Sequence, residues 1–291
     1  MPGNNALAAL AAAVLWGGGD FSGGMGAKHS GNTMGGALRV VLVSHAMSLA
    51  VLVSIALARG GAFPRGAPLA WGLGAGLLGG LSLTAFYSAL ARGAMGASAA
   101  VSGLLAAAIP AAVSSIAEGS PGLLRIAGFL IAGAAIWLIA AGDNPENMPV
   151  SAGTMWLAVL SGAGFGVYFV ALKFASSAGF IWPMATARMA SLTVCSITLC
   201  SLIAARSPLR AGKLTPIGLL WIAGAGALDT GGNLLYMAST QAGRLDVAAV
   251  LASLYPASTI LLAAWMLHER PTRRQAAGML VAVASVVMIT I

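Results

Sequence analysis

Charge is what this chain has least of. Only 8% of its 291 residues are Asp, Glu, Lys or Arg, and 7 of them are acidic. A soluble domain of this length carries about 25% charged residues, so too few are present to coat a water-facing surface. Thiols are as scarce. Cys195 and Cys200 share one apolar segment, which excludes a cross-link between distant segments, and two thiols alone make no zinc site. His45 and His268 have no ligand-type neighbours at usable spacing, so neither a metal nor another cofactor is expected. No Gly-x-x-x-x-Gly-Lys-Ser/Thr run occurs, which excludes a P-loop nucleotide motor. Absence of His-Glu-x-x-His and of Gly-x-Ser-Gly argues against zinc-dependent and rhomboid-type proteolysis. No basic stretch precedes the first apolar run, which is read as a retained span and not a cleaved signal.

What is present is hydrophobicity. Apolar residues make up 59% of the chain and mean hydropathy is +0.91. The apolar runs are Ala/Leu/Val-rich and about 20 residues long, the length of a membrane-crossing helix and not of a barrel strand. The net charge of +8 comes from basic residues scattered singly, such as Arg59, Arg65, Arg206, Lys213, Arg273 and Arg274. Such placement suits helix ends at lipid headgroups and excludes nucleic acid as a partner. The partners expected are the lipid bilayer and a small-molecule substrate. No oligomeric state is assigned, and a monomer is compatible with the sequence.

The chain also repeats itself. Trp71 and Trp221, Gly93 and Gly243, and Gly128 and Gly278 are each 150 residues apart. Arg39 and Arg188, Tyr87 and Tyr236, and the tripeptides starting at Ala99 and Ala248 are offset by 149. A constant offset marks a duplicated unit. Ten spans are drawn, at 5–25, 35–58, 69–91, 94–114, 122–141, 153–173, 183–204, 216–239, 245–266 and 272–291. The expected fold is therefore an all-α membrane protein with ten transmembrane helices in two inverted five-helix repeats, because a unit with an odd span count enters the membrane from opposite sides in its two copies. Its parts are residues 1–144, a connecting loop at 145–152, and residues 153–291, in one membrane domain. Glycine, at 39 residues, clusters inside spans, where small residues allow close helix packing.

Ionisable and aromatic groups inside spans are the candidate site, since burying a charge in lipid is costly without a function or a partner. Trp16 and Asp20 share a face of span one. Asp229, Asn233 and Tyr236 form one stripe of span eight, placing a carboxylate, an amide and a phenol together. The repeat-equivalent Tyr87 and Tyr236 are expected to face each other across the midplane, with Trp16 and Tyr168 as aromatic walls. Arg39 and Arg188 could clamp an anion, snorkel, or hold a neighbouring carbonyl. Proton coupling would have to use Asp20 or Asp229; without it, transport runs down the substrate's own gradient. Gly17-Gly18-Gly19-Asp20 also matches the Gly-x-Gly-Asp element of intramembrane aspartyl proteases, and Asp229 could complete a dyad. The other elements of that family are absent.

The stretch Tyr255-Pro256 through Glu269-Arg270-Pro271-Thr272 to Gln275-x-x-Gly278 resembles the EamA repeat of the drug/metabolite transporter superfamily, as does the two-fold repeat itself. The first copy departs from it: Ala107 stands where Pro256 stands, Pro110 is three residues late, and Glu118 is one residue out of register with Glu269. Trp16 to Asp20 and the Ala/Gly-rich composition look most like the bacterial aromatic amino acid exporters of this superfamily. The resemblance implies a non-enzymatic secondary transporter in the bacterial inner membrane, exporting amino acids by alternating access, with cytoplasmic termini. Loop charge opposes that orientation, since cytoplasmic termini put Arg59, Arg65, Arg125, Lys173 and Arg244 inside and eight other basic residues outside. A sugar-phosphate or nucleotide-sugar carrier is the alternative, with Arg39, Arg188 and Lys173 as the cationic clamps it would need.

Overall fold

The computed structural model describes residues 2–31, 33–90, 95–140, 151–206, 213–266 and 272–291. All regular structure among them is helical: α1 (Pro2–His29), α2 (Met34–Ala58), α3 (Ala67–Leu90), α4 (Met95–Ala117), α5 (Leu123–Ala140), α6 (Ala152–Ala175), α7 (Ile181–Ala204), α8 (Pro216–Ala242), α9 (Leu245–Ala252), α10 (Tyr255–Met266) and α11 (Arg273–Thr290). The starts of α2, α6, α8 and α11 are capped by hydroxyls. Oγ1 of Thr33 and Thr215 each accept from a backbone N–H three residues on, at 3.1 Å, satisfying a group the helix leaves orphaned. Thr272 and Gln275 form a reciprocal capping box on α11.

Among the described residues seven candidate membrane spans are long and apolar enough, lying on α1, α2, α3, α6, α7, the α9–α10 pair and α11. The described apolar stretches of α4 and α5 are shorter. At 27 residues α8 has the length, but it carries Asp229, Thr230, Asn233, Ser239, Thr240 and Gln241 and falls outside the seven. The span expected at 245–266 is two helices. Pro256 has no N–H to return to the Ala252 carbonyl, so α9 stops, Ser253 and Leu254 turn, and Pro256 sits in the first turn of α10, where proline is tolerated. The 145–152 connection lies outside the described residues up to residue 150, as do Arg92, Gly93, His268, Glu269 and Arg270.

Packing is mostly between halves. α1 lies on α8 as α3 lies on α6; α4 packs on α6 as α9 and α10 pack on α1; α2 meets α7 and α5 meets α11. Repeat-equivalent glycines make these approaches. A Cβ at Gly17 would collide with Ser258 of α10, and one at Gly166 with Ile109 of α4. At the α5–α11 contact the relation is reciprocal: Gly128 faces Ile289 at 2.8 Å from its would-be Cβ, and Gly278 faces Ile139 at 2.8 Å. Large apolar side chains such as Leu7, Val14, Leu57, Trp156 and Trp265 point outward, as a lipid-facing surface requires.

Gly76 provides a test of this packing. A carbon added there would meet the Ala187 carbonyl of α7, and backbone cannot swing aside. Gly76→Ala should lower the thermal unfolding midpoint of the purified protein, at an overpacking cost of about 1–3 kcal/mol. At Gly74 an added carbon meets nothing within 4 Å, so Gly74→Ala should be neutral or stabilising. Equal behaviour of the two variants would contradict the α3–α7 contact.

Candidate functional site

Two adjoining cavities open between the halves. One is bounded by His45 of α2, Gly79 and Gly80 of α3, and Arg188 and Ser191 of α7. The other, somewhat larger, is bounded by Trp16 and Asp20 of α1, Phe86 of α3, Phe169 of α6, Asn233 of α8 and Tyr255 of α10. Leu83, Phe165, Tyr168 and Asp229 line both. The space exists because α3 has no side chains at Gly79 and Gly80; a Cβ at Gly79 would sit 3.0 Å from the Tyr168 ring.

The first cavity is organised by Arg188, which is 3% exposed. Its Nη2 donates to Asp229 Oδ2 and, at 3.2 Å, to Thr230 Oγ1. Its Nε donates to Ser48 Oγ at 3.2 Å and its Nη1 to His45 Nε2 at 2.6 Å. A guanidinium only donates, so His45 Nε2 carries a lone pair. The ring proton is then on Nδ1, which donates to Ser191 Oγ at 2.8 Å. This is a neutral imidazole, 3.9 Å from the Asp229 carboxylate. Ser48 and Thr230 close the ring of contacts at 2.6 Å. The fork geometry of arginine is what allows one buried cation to reach two other helices at once.

Asn233 joins this cluster to the second cavity. Its Nδ2 donates to the Asp229 carbonyl at 2.7 Å and to Oδ1 at 3.1 Å, while its Oδ1 accepts from the Tyr168 hydroxyl at 2.6 Å. Behind Asn233 stands an aromatic stack. Trp16 lies parallel to Phe169 at 5.0 Å, and Tyr236 tilts against both at 5.5 and 4.8 Å.

Trp16, Asp20, Tyr168, Asp229 and Asn233 therefore share one cavity. Tyr236 does not line it: fully buried, it donates to the Phe169 carbonyl at 3.4 Å. Tyr87 packs in a separate cluster with Val40, Phe86 and Ile222, its hydroxyl end against Gly23. The two tyrosines thus do not face each other; seven residues on from Asp229 the stripe has rotated into the aromatic stack. Arg39 is part-buried and lines neither cavity. His45, Ser191, Phe165 and Tyr255 were missed as site residues. His45 was visible as an ionisable group inside a span, and Ser191 follows Arg188 by one helical turn.

A second polar cluster ties the ends of α4, α6 and α8. Lys173 pairs with Glu118, and Arg244 with the fully buried Asp246 at 2.7 Å. Arg244 also donates to the Gly119 carbonyl at 2.8 Å, and Asn5 near the start of α1 donates to the Arg244 carbonyl at 3.2 Å.

Residues 152–291 match the EamA-like transporter family. This supports the drug/metabolite transporter superfamily and suggests a multi-pass membrane transporter of small molecules. A crystal structure of another protein superposes with a TM-score of 0.74 over 98% of this chain and 95% of that one, at 17% identity, and is one of 18 solved chains that match. At that identity the likeness is one of fold. No curated protein matches the chain.

Removing Arg188 should be severe. Arg188→Met leaves the part-buried Asp229 without its cation, a loss of at most about 3–5 kcal/mol, the range for broken buried pairs. Arg188→Lys should fail to restore it, since one ammonium cannot span four partners. Adding Asp229→Asn to Arg188→Met should recover part of the loss. Thermal unfolding of the purified variants checks all three.

Proposed function

We propose that this protein is a secondary transporter that exports neutral amino acids, aromatic ones favoured, across the bacterial inner membrane by alternating access. The observation that carries the reading is the composite cavity, aromatic on one side and ionic on the other, at the seam between the halves. A small zwitterion with apolar bulk suits such walls. The sugar-phosphate alternative needs free cations, yet Arg188 is engaged by Asp229 and Lys173 by Glu118, and Arg39 lines neither cavity. The aspartyl-protease alternative needs two carboxylates sharing a proton, and Asp229 is held by Arg188.

The architecture we infer is ten spans in two inverted repeats, with α9 and α10 forming one of them. The reciprocal contacts of Gly128 with Ile289 and Gly278 with Ile139 support it. Two equivalent helices that touch start to end are antiparallel, and a two-fold axis relating them lies across them. If both cross the membrane, that axis lies in its plane. Cytoplasmic termini are kept from the family resemblance. The Lys173–Glu118 and Arg244–Asp246 pairs serve as a gate closing one end of the pathway. The positions offset by 149 from Lys173, Arg244 and Asp246 are Gly24, Met95 and Ala97, and the one offset from Glu118 lies outside the described residues.

Proteoliposomes loaded with L-phenylalanine should exchange it for labelled L-phenylalanine, and a panel of amino acids should define the competing set. With Cys195 and Cys200 replaced, Asn233→Cys should react with an aqueous thiol reagent and be protected by substrate. Lys173→Met should speed that labelling roughly fivefold, the equivalent of about 1 kcal/mol for a partly exposed pair. Inertness of Asn233→Cys in every condition would remove the cavity from the pathway.

A further inference from the structure

We infer that the larger cavity is an ammonium site: Asp20 and the surrounding aromatic faces recognise a primary amine carried on an apolar body, so that arylalkyl amines lacking a carboxylate are ligands in their own right. This rests on the transport reading above and names the group that the site selects.

Four observations lead there. Asp20 makes no hydrogen bond and no ion pair among the described residues, although it lines the cavity. The other carboxylate on that wall, Asp229, is already neutralised by Arg188. Among the described residues no basic side chain lines this cavity, and nearly every N–H of Arg188 is spent on Ser48, His45, Asp229 and Thr230. The carboxyl group that faces the space without a cation is thus Asp20. Its neighbours are Trp16, Phe86, Phe165, Tyr168 and Tyr255, whose ring faces attract cations through their quadrupoles. A carboxylate away from bulk water is costly until a cation or a proton meets it, and an aromatic surround favours an organic cation over a hydrated metal ion. An incoming carboxylate, by contrast, finds no cation on these walls. The amine is therefore the selected group, and the substrate's own carboxylate is tolerated where the cavity opens.

The test is calorimetric titration of the full-length purified protein with three compounds of one shape: 2-phenylethylamine, L-phenylalanine and 3-phenylpropanoate. The amine should bind at least as tightly as the amino acid, and both should exceed the acid by about tenfold or more, the worth of a charge-assisted contact. Asp20→Asn should remove the advantage of the amine, and Asp20→Glu should retain it. Equal binding of acid and amine to the parent protein overturns the proposal, as does an Asp20→Asn variant with unchanged amine affinity. Should that variant not purify as a monodisperse species, the parent's preference between amine and acid decides alone. If 2-phenylethylamine binds through Asp20 while L-phenylalanine neither binds nor exchanges, the ammonium site stands and amino acid transport falls. If L-phenylalanine exchanges normally and the amine does not bind, the reverse holds. Binding of none of the three overturns both.

Discussion

A charge taken into a membrane protein must bring its partners along, because lipid supplies none. Arg188 meets that requirement with four side chains from two other helices, and much of the interior follows from it. His45 and Ser48 lie about one turn apart on α2, and Asp229 and Thr230 are adjacent on α8. Each pair fixes the rotation of its helix, since a shift of one residue moves its side chains about 100° around the axis. α2 belongs to the first half and α7 and α8 to the second, so the same contacts hold the halves in register. The small residues belong to this constraint. With Gly226 the would-be Cβ lies 2.9 Å from the Ser44 carbonyl; that close approach of α8 to α2 is what brings Thr230 within reach of Ser48.

Asn233 carries the constraint into the aromatic half of the site. An amide side chain both donates and accepts, and here it does each in opposite directions, toward Asp229 and from Tyr168. The orientation of the Tyr168 ring, which lines both cavities, is therefore coupled to the Arg188 cluster. The stack of Trp16, Phe169 and Tyr236 backs it without hydrogen-bonding to it. Polar and apolar walls meet at one residue, and a movement of α8 displaces both.

The sequence made the helices legible because apolar runs of membrane length have few alternatives, and the drawn spans agree with the described helices to within a few residues at most ends. A single span at 245–266 misses the break at Ser253–Leu254, whose sequence signal is the missing N–H of Pro256. In the candidate site, periodicity placed Asp229 and Asn233 on one face but could not show where that face ends. Tyr236 is a further turn along, and it is the neighbouring Trp16 and Phe169 that capture it. Arg188 and His45 were each visible as ionisable groups in spans. Their pairing was not, because it joins α2 to α7 across a separation of 143 residues that carries no local signal of the contact. Tyr87 and Tyr236 show the opposite error: equal spacing from their repeats says nothing about which neighbour each packs against.

On the two-repeat reading proposed above, shape is preserved more than chemistry. Gly17 and Gly166, Gly76 and Gly226, and Gly128 and Gly278 stand 149 or 150 residues apart, and each makes room for a neighbouring helix. Arg188 has a counterpart in Arg39, but its partners do not recur. At the positions equivalent to Asp229, Thr230, His45 and Ser48 stand Gly80, Leu81, Val194 and Ile197. Trp16 is matched by an aromatic, Phe165, but Asp20 by Phe169 and Tyr168 by Gly19. Two identical sites would place like charges on both sides of the seam, where each buried ion needs its own set of partners. One ionic set facing one aromatic set avoids that cost and leaves a single cavity whose walls differ in polarity. The close-packing glycines must satisfy both halves at once, so they hold their register; the site residues need to appear only once, so they are free to diverge.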